Sequence, residues 1–73
     1  MGRIPVLKPE EVERLLILQG FVFSRQKGSH KRYKHPDGRS TTVPFHKGRD
    51  ISPVILKLIC REINISPEAF IGK

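Results

Sequence analysis

The chain has 73 residues, 29% of them charged, and a formal net charge of +7 at pH 7. A domain this short buries only about 60% of the surface its unfolded chain exposes, leaving no room for a deep substrate cavity beside the core. A lone cysteine, Cys60, excludes an internal disulfide and a multi-cysteine zinc site, and no apolar run approaches the ~20 residues of a membrane span.

The first predicted element is a helix over "KPEEVERLLILQG". Pro9 suits the first helical position, Glu10 and Glu11 lie where the helix dipole favours acids, and Gly20 suits the position after the helix. Val12, Leu15 and Leu16 form an i, i+3, i+4 stripe, widened by Leu18, whose role is core packing. "FVFSRQK" then reads as a strand from its aromatic and β-branched start, and "SHKRYKH" as a second strand with little apolar content beyond Tyr33. Pro36, Asp37 and Gly38 make a turn, because proline fixes φ while Asp and Gly tolerate positive φ. "RSTTVPF" is the third strand, and Pro44 near its end points to a sheet edge.

A second helix is predicted over "ISPVILKLICREINIS". Ser52 serves as N-cap, Pro53 as first helical residue, Ile51 as a staple onto Leu56, and Asn64 as the closing residue. Ile55, Ile59 and Ile63 share a face with Leu56 beside them, and Cys60 in this stripe reads as a small core residue. "SPEAF" repeats the Ser-Pro start, predicting a short terminal turn that docks Phe70 on the core. The expected fold is α+β, in the order α-β-β-β-α: one domain over residues 1–73, with a three-stranded antiparallel sheet and both helices on one face. The other sheet face is left to solvent or a ligand.

The charge is confined. Residues 25 to 49 hold eight Lys or Arg against one acid, Asp37, so this segment carries the entire +7 while six basic and six acidic residues cancel elsewhere. Such a block is the footprint of a phosphate-backbone binder, against the plainer reading of a solvated basic surface. Its densest part is "RQKGSHKRYKHPDGR". Alternation puts His30, Arg32 and Lys34 on one strand face and Ser29, Lys31, Tyr33 and His35 on the other. Tyr33 is open to two roles, core contact or base-stacking platform.

Histidine takes and gives protons near neutral pH, and RNA carries a 2′-hydroxyl beside each scissile phosphate. A histidine in a field of cations therefore supplies the base and the charge stabilisation that RNA cleavage requires. His30, following Gly28-Ser29, is the candidate; His35, at the turn mouth, reads as a surface residue. A three-residue turn is expected to set His30 opposite His46, and a two-residue turn to pair residue 30 with residue 45. Composition alone leaves His30 either a proton-transfer group or a bystander. No HExxH-like zinc spacing occurs, so no metal and no cofactor is expected.

Gly20-Phe21, Gly28-Ser29-His30, Tyr33, Pro36-Asp37-Gly38, Val43-Pro44, His46-Lys47 and the Glu68–Phe70 region together resemble the HicA-type, or YcfA-like, mRNA interferase toxins across nearly the whole chain. The chain departs from that pattern at Ser52-Pro53-Val54, where a Gly-Thr-Leu-like stretch is usual; this concerns helix capping rather than the site. The resemblance implies a fold like a double-stranded-RNA-binding domain and ribonuclease action on mRNA with His30 as the catalytic residue. It also implies a HicB-type antitoxin covering the active face. The expected RNA-binding residues are Arg25, Lys27, Gly28, Ser29, Lys31, Arg32, Tyr33, Lys34, His46 and Lys47, and the expected location is the cytoplasm. The competing expectation is a non-catalytic RNA-binding module with the same basic face, which needs no histidine.

Overall fold

A computed structural model describes residues 4–72; Met1, Gly2, Arg3 and Lys73 lie outside the described residues. The elements are α1 (Pro9–Leu18), β1 (Val22–Lys27), β2 (His30–Lys34), β3 (Ser40–Pro44), α2 (Pro53–Ile63) and α3 (Pro67–Ile71), as the sequence predicts. The strands form an antiparallel sheet in the order β1-β2-β3.

Local chemistry explains the helix ends. Each helix has proline in its first turn. Ser52 accepts a hydrogen bond from the Ile55 amide at 3.3 Å, and Ser66 does the same for Ala69 at 3.2 Å, satisfying amides that the helix leaves unpaired. Asn64 closes α2 in the left-handed region, with φ 59°. Gly20, beyond α1, has φ 94°, and a Cβ there would stand 2.9 Å from His35 Nε2. This position therefore demands glycine twice over, for its backbone and for space.

The core gathers Val12, Leu15 and Leu16 of α1; Leu56, Ile59, Cys60 and Ile63 of α2; Phe70 of α3; and Phe21, Tyr33, Val43 and Ile51. Leu18 does not join it. It is 68% exposed, because the buried stripe of α1 is satisfied by its i, i+3, i+4 residues and the helix ends at this point. Tyr33, Thr41 and Val43 form the buried sheet surface, and pairing partners share a face, so both helices lie on the Tyr33 side. All six residues of β1 are exposed; the strand extends the sheet beyond the helical layer.

Polar side chains tie the layers together. Tyr33 Oη donates to Glu13 of α1, and Thr41 Oγ1 donates to Glu62 Oε1 of α2 at 2.7 Å. Arg39 donates to the Ile63 carbonyl at the end of α2 at 2.5 Å, pairs with Asp37, and lies 5.2 Å over the Phe21 ring. The arginine thus fixes the β2–β3 loop against α2. His35 packs edge-on against Phe21, with ring centroids 5.0 Å apart, and its Nδ1 accepts from the Asp37 amide. Its role is to hold this loop, which is more than the solvated surface role expected of it.

Candidate functional site

Two turns set the register of the sheet. Between β1 and β2 the loop is only Gly28-Ser29, closed by the Lys27–His30 pair. Gly28 has φ 59° and Ser29 has negative φ, the sign pattern of a type II′ hairpin turn with glycine leading. Gly28 therefore has a reason of its own, the turn, apart from any ligand. Between β2 and β3, His35 and Arg39 close a loop over Pro36, Asp37 and Gly38 through a 2.8 Å bond from the His35 amide to the Arg39 carbonyl. The turn has three residues, but closing on His35 and Arg39 it pairs His30 with Pro44, each five positions from the closing pair. The register expected of a three-residue turn is two positions off, and neither expected register occurs. His46 falls two residues beyond Pro44, on the diagonal from His30, and the two imidazoles still meet. Their ring centroids are 5.5 Å apart, with planes at 80°.

Pairing decides which cations accompany them. Lys27 is opposite His30, Arg25 opposite Arg32, and Val22 opposite Lys34. On the other side of β2, Ser40, Thr42 and Pro44 oppose Lys34, Arg32 and His30. The open face therefore carries Arg25, Lys27, His30, Arg32 and Lys34. A register shift between Phe23 and Arg25 makes this possible. With Ser24 as the extra residue, Phe23 faces Tyr33 while Arg25 and Lys27 turn to the His30 side. Without the bulge, either Phe23 would face outward or both cations would turn toward the helices.

Like charges directly opposite across a strand pair destabilise it. Arg25 opposite Arg32, with Lys27 and Lys34 at either end, is such an arrangement, and a bound anion relieves it. Arg32 is held in place: its guanidinium donates to Ser40 Oγ at 2.9 Å and to Thr42 Oγ1 at 3.3 Å. Two of its five N–H donors are used, leaving three to engage a ligand. Ser40 and Thr42 escaped the reading of the sequence; strand parity identifies them only once the β2–β3 loop length is known. Ser29 Oγ lies 3.0 Å from His46 Nδ1, and the Ser29 carbonyl accepts from the Phe45 amide at 2.6 Å. The glycine-serine turn thus carries His30 and also anchors the segment bearing His46.

Two expected RNA contacts are placed elsewhere. Tyr33 has no accessible surface and cannot stack on a base. As the one large apolar side chain of β2, it decides which face of that strand is buried, and burial followed by the hydrogen bond to Glu13 pushes its hydroxyl well above the usual phenol range. Lys31 lies on the Tyr33 side of the sheet, where its Nζ sits 4.0 Å over the Phe45 ring, away from His30. Lys47 is exposed in the turn following His46.

Among the described residues no three His, Cys, Asp or Glu side chains gather as a potential metal ligand set. No described helix is long and apolar enough to cross a membrane. A groove of about 880 Å³ lies between α2 and α3 and is lined by Ile4, Lys57, Arg61, Ile65 and Glu68 among others; the two histidines lie outside it. No curated protein matches the chain. One family model does, that of the HicA toxin of bacterial toxin–antitoxin systems, over residues 9–65.

Proposed function

Because the chain belongs to the HicA toxin family of bacterial toxin–antitoxin systems, we propose that it is an endoribonuclease that cuts mRNA, with His30 as a catalytic residue. The observation that carries this reading is the open sheet face, where an exposed imidazole stands among Arg25, Lys27, Arg32 and Lys34. The cations attract the phosphate backbone and stabilise charge that builds on the scissile phosphate. His30 supplies proton transfer to or from the 2′-hydroxyl, which RNA itself provides as nucleophile. The imidazole and its cations lie on an open strand face outside the α2–α3 groove, an arrangement that suits a polymer laid across it better than a small molecule.

Toxins of this family are paired with antitoxins. The partner proposed is a HicB-like protein presenting acidic groups to the same basic face, in the cytoplasm where mRNA is found. The test compares wild type with His30→Ala for cleavage of RNA in EDTA and for growth arrest on expression. Loss of both activities, with the fold retained, is expected. Equal cutting by the variant removes His30 from catalysis. A wild type that binds RNA in a salt-dependent way and returns it intact shows the non-catalytic RNA-binding module instead.

A further inference from the structure

We propose that His46 is a second catalytic residue, the general acid that protonates the leaving 5′-oxygen, and that Ser29 is its positioning residue. The inference rests on the ribonuclease reading above. Its basis is the pairing of two imidazoles that sequence separates by sixteen positions. Their 5.5 Å centroid separation lets a single phosphodiester touch both. Proton transfer on two oxygens of one phosphate requires this, since each group has to reach its oxygen at hydrogen-bond distance.

The two rings are held differently. His30 has no side-chain hydrogen bond among the described residues, whereas His46 Nδ1 is engaged by Ser29 Oγ at 3.0 Å. A serine hydroxyl both donates and accepts. It accepts from Nδ1–H when His46 is an imidazolium and goes on accepting from Nδ1–H once Nε2 has given up its proton, so orientation survives the transfer. Nε2 is left for substrate. Ser29 is itself fixed by the backbone bond from Phe45, so the serine and the histidine it orients belong to one braced unit. Arg32, pinned by Ser40 and Thr42, and Lys27, opposite His30, supply the charge for the phosphate oxygens.

The step balances without a co-reactant. His30 takes the proton of the 2′-hydroxyl as that oxygen bonds to phosphorus. The bond from phosphorus to the 5′-oxygen breaks, its electron pair stays on that oxygen, and His46 Nε2 delivers a proton there. The products are a 2′,3′-cyclic phosphate and a 5′-hydroxyl. His30 ends protonated and His46 neutral, and exchange with water restores both.

The experiment uses an oligoribonucleotide with one cut site mapped with wild type, made with the ordinary linkage or with sulfur replacing the bridging 5′-oxygen. A thiolate leaves without needing a proton. His46→Ala is expected to lose about 10²- to 10⁴-fold on the ordinary linkage, in the range of general acid catalysis, and to recover most of that loss on the sulfur linkage. His30→Ala stays impaired on both. Ser29→Ala falls between wild type and His46→Ala, while Ser29→Thr, which keeps the hydroxyl, stays near wild type. Circular dichroism checks the fold, and His46→Gln replaces the alanine variant if that variant unfolds. Wild-type rates for His46→Ala on the ordinary linkage overturn the proposal. So does equal impairment on both linkages, which makes His46 a binding or structural residue. A wild type that binds RNA and cuts neither linkage refutes the nuclease reading itself, and the His46 role with it.

Discussion

Tyr33→Phe separates the structural role of this aromatic from an RNA-contacting one. The ring is fully buried, and its hydroxyl donates to the Glu13 carboxylate across the interface of β2 and α1. A hydrogen bond to a charged group contributes about 1.5–3 kcal/mol. Glu13 is only half-buried and rehydrates when its partner is removed, so the lower end applies, about 1.5–2 kcal/mol. In a domain of this size each kcal/mol moves Tm by about 4–8 °C, giving an expected drop of roughly 6–16 °C. The ring stays, so no cavity opens. Tyr33→Ala is the less informative change: deleting a buried aromatic costs about 3–5 kcal/mol, close to the entire stability of a small domain. Its inactivity would report unfolding.

The assay is a thermal melt of Tyr33→Phe beside its RNA affinity and cleavage rate below the melting range. Lower Tm with unchanged affinity and rate is expected. Pairing the change with Glu13→Ala yields a double loss smaller than the sum, because both remove one bond. An unchanged Tm with weakened RNA binding would refute the burial argument and return Tyr33 to the interface.

Three further outcomes follow from the same geometry. Replacing Arg25, Lys27 and Lys34 together by alanine should flatten the salt dependence of single-stranded RNA binding by about 2 in log–log slope, at ~0.7 per phosphate contact, while Lys31→Ala leaves the slope unchanged; equal effects would contradict the two-face assignment. Gly28→Ala should cost about 1–2 kcal/mol in a urea melt, because φ 59° is left-handed backbone, with Gly28→Asn costing less. Burial, followed by the nearby Glu68 charge, pushes the Cys60 thiol up to about 11, so it should resist a thiol reagent in the native protein at neutral pH and react on unfolding. Its raised value also sets a sign: with the unfolded thiol near roughly 8.5, the stability it contributes is complete below that pH and is lost as pH rises toward about 11. Subtracting the Cys60→Ala profile isolates that loss.

Much of this protein was legible in residue order because the rules involved are short-ranged. Pro9, Ser52-Pro53 and Ser66-Pro67 mark helix starts through missing amides and side-chain caps, and the stripes of α1 and α2 mark their buried faces. Parity along one strand put His30, Arg32 and Lys34 together, since successive side chains point to opposite sides. Confinement of the charge to residues 25–49 needed only counting.

Relations between strands were not legible, because they depend on turn closure and on what packs beneath. The β2 segment has no apolar face, so local pattern leaves open which side is buried; Tyr33 under α1 decides it and carries Lys31 to the helix side. The His35–Arg39 closure sets His30 opposite Pro44, two positions from the pairing that would have faced it with His46. A bulge of one residue near Ser24 puts Arg25 and Lys27 on the same side as His30 without turning Phe23 outward. Sequence alone determined that a histidine lies in a basic strand. Tertiary structure gave it a second histidine, because a side chain's neighbours across a sheet are fixed by register, and register is a property of the folded chain.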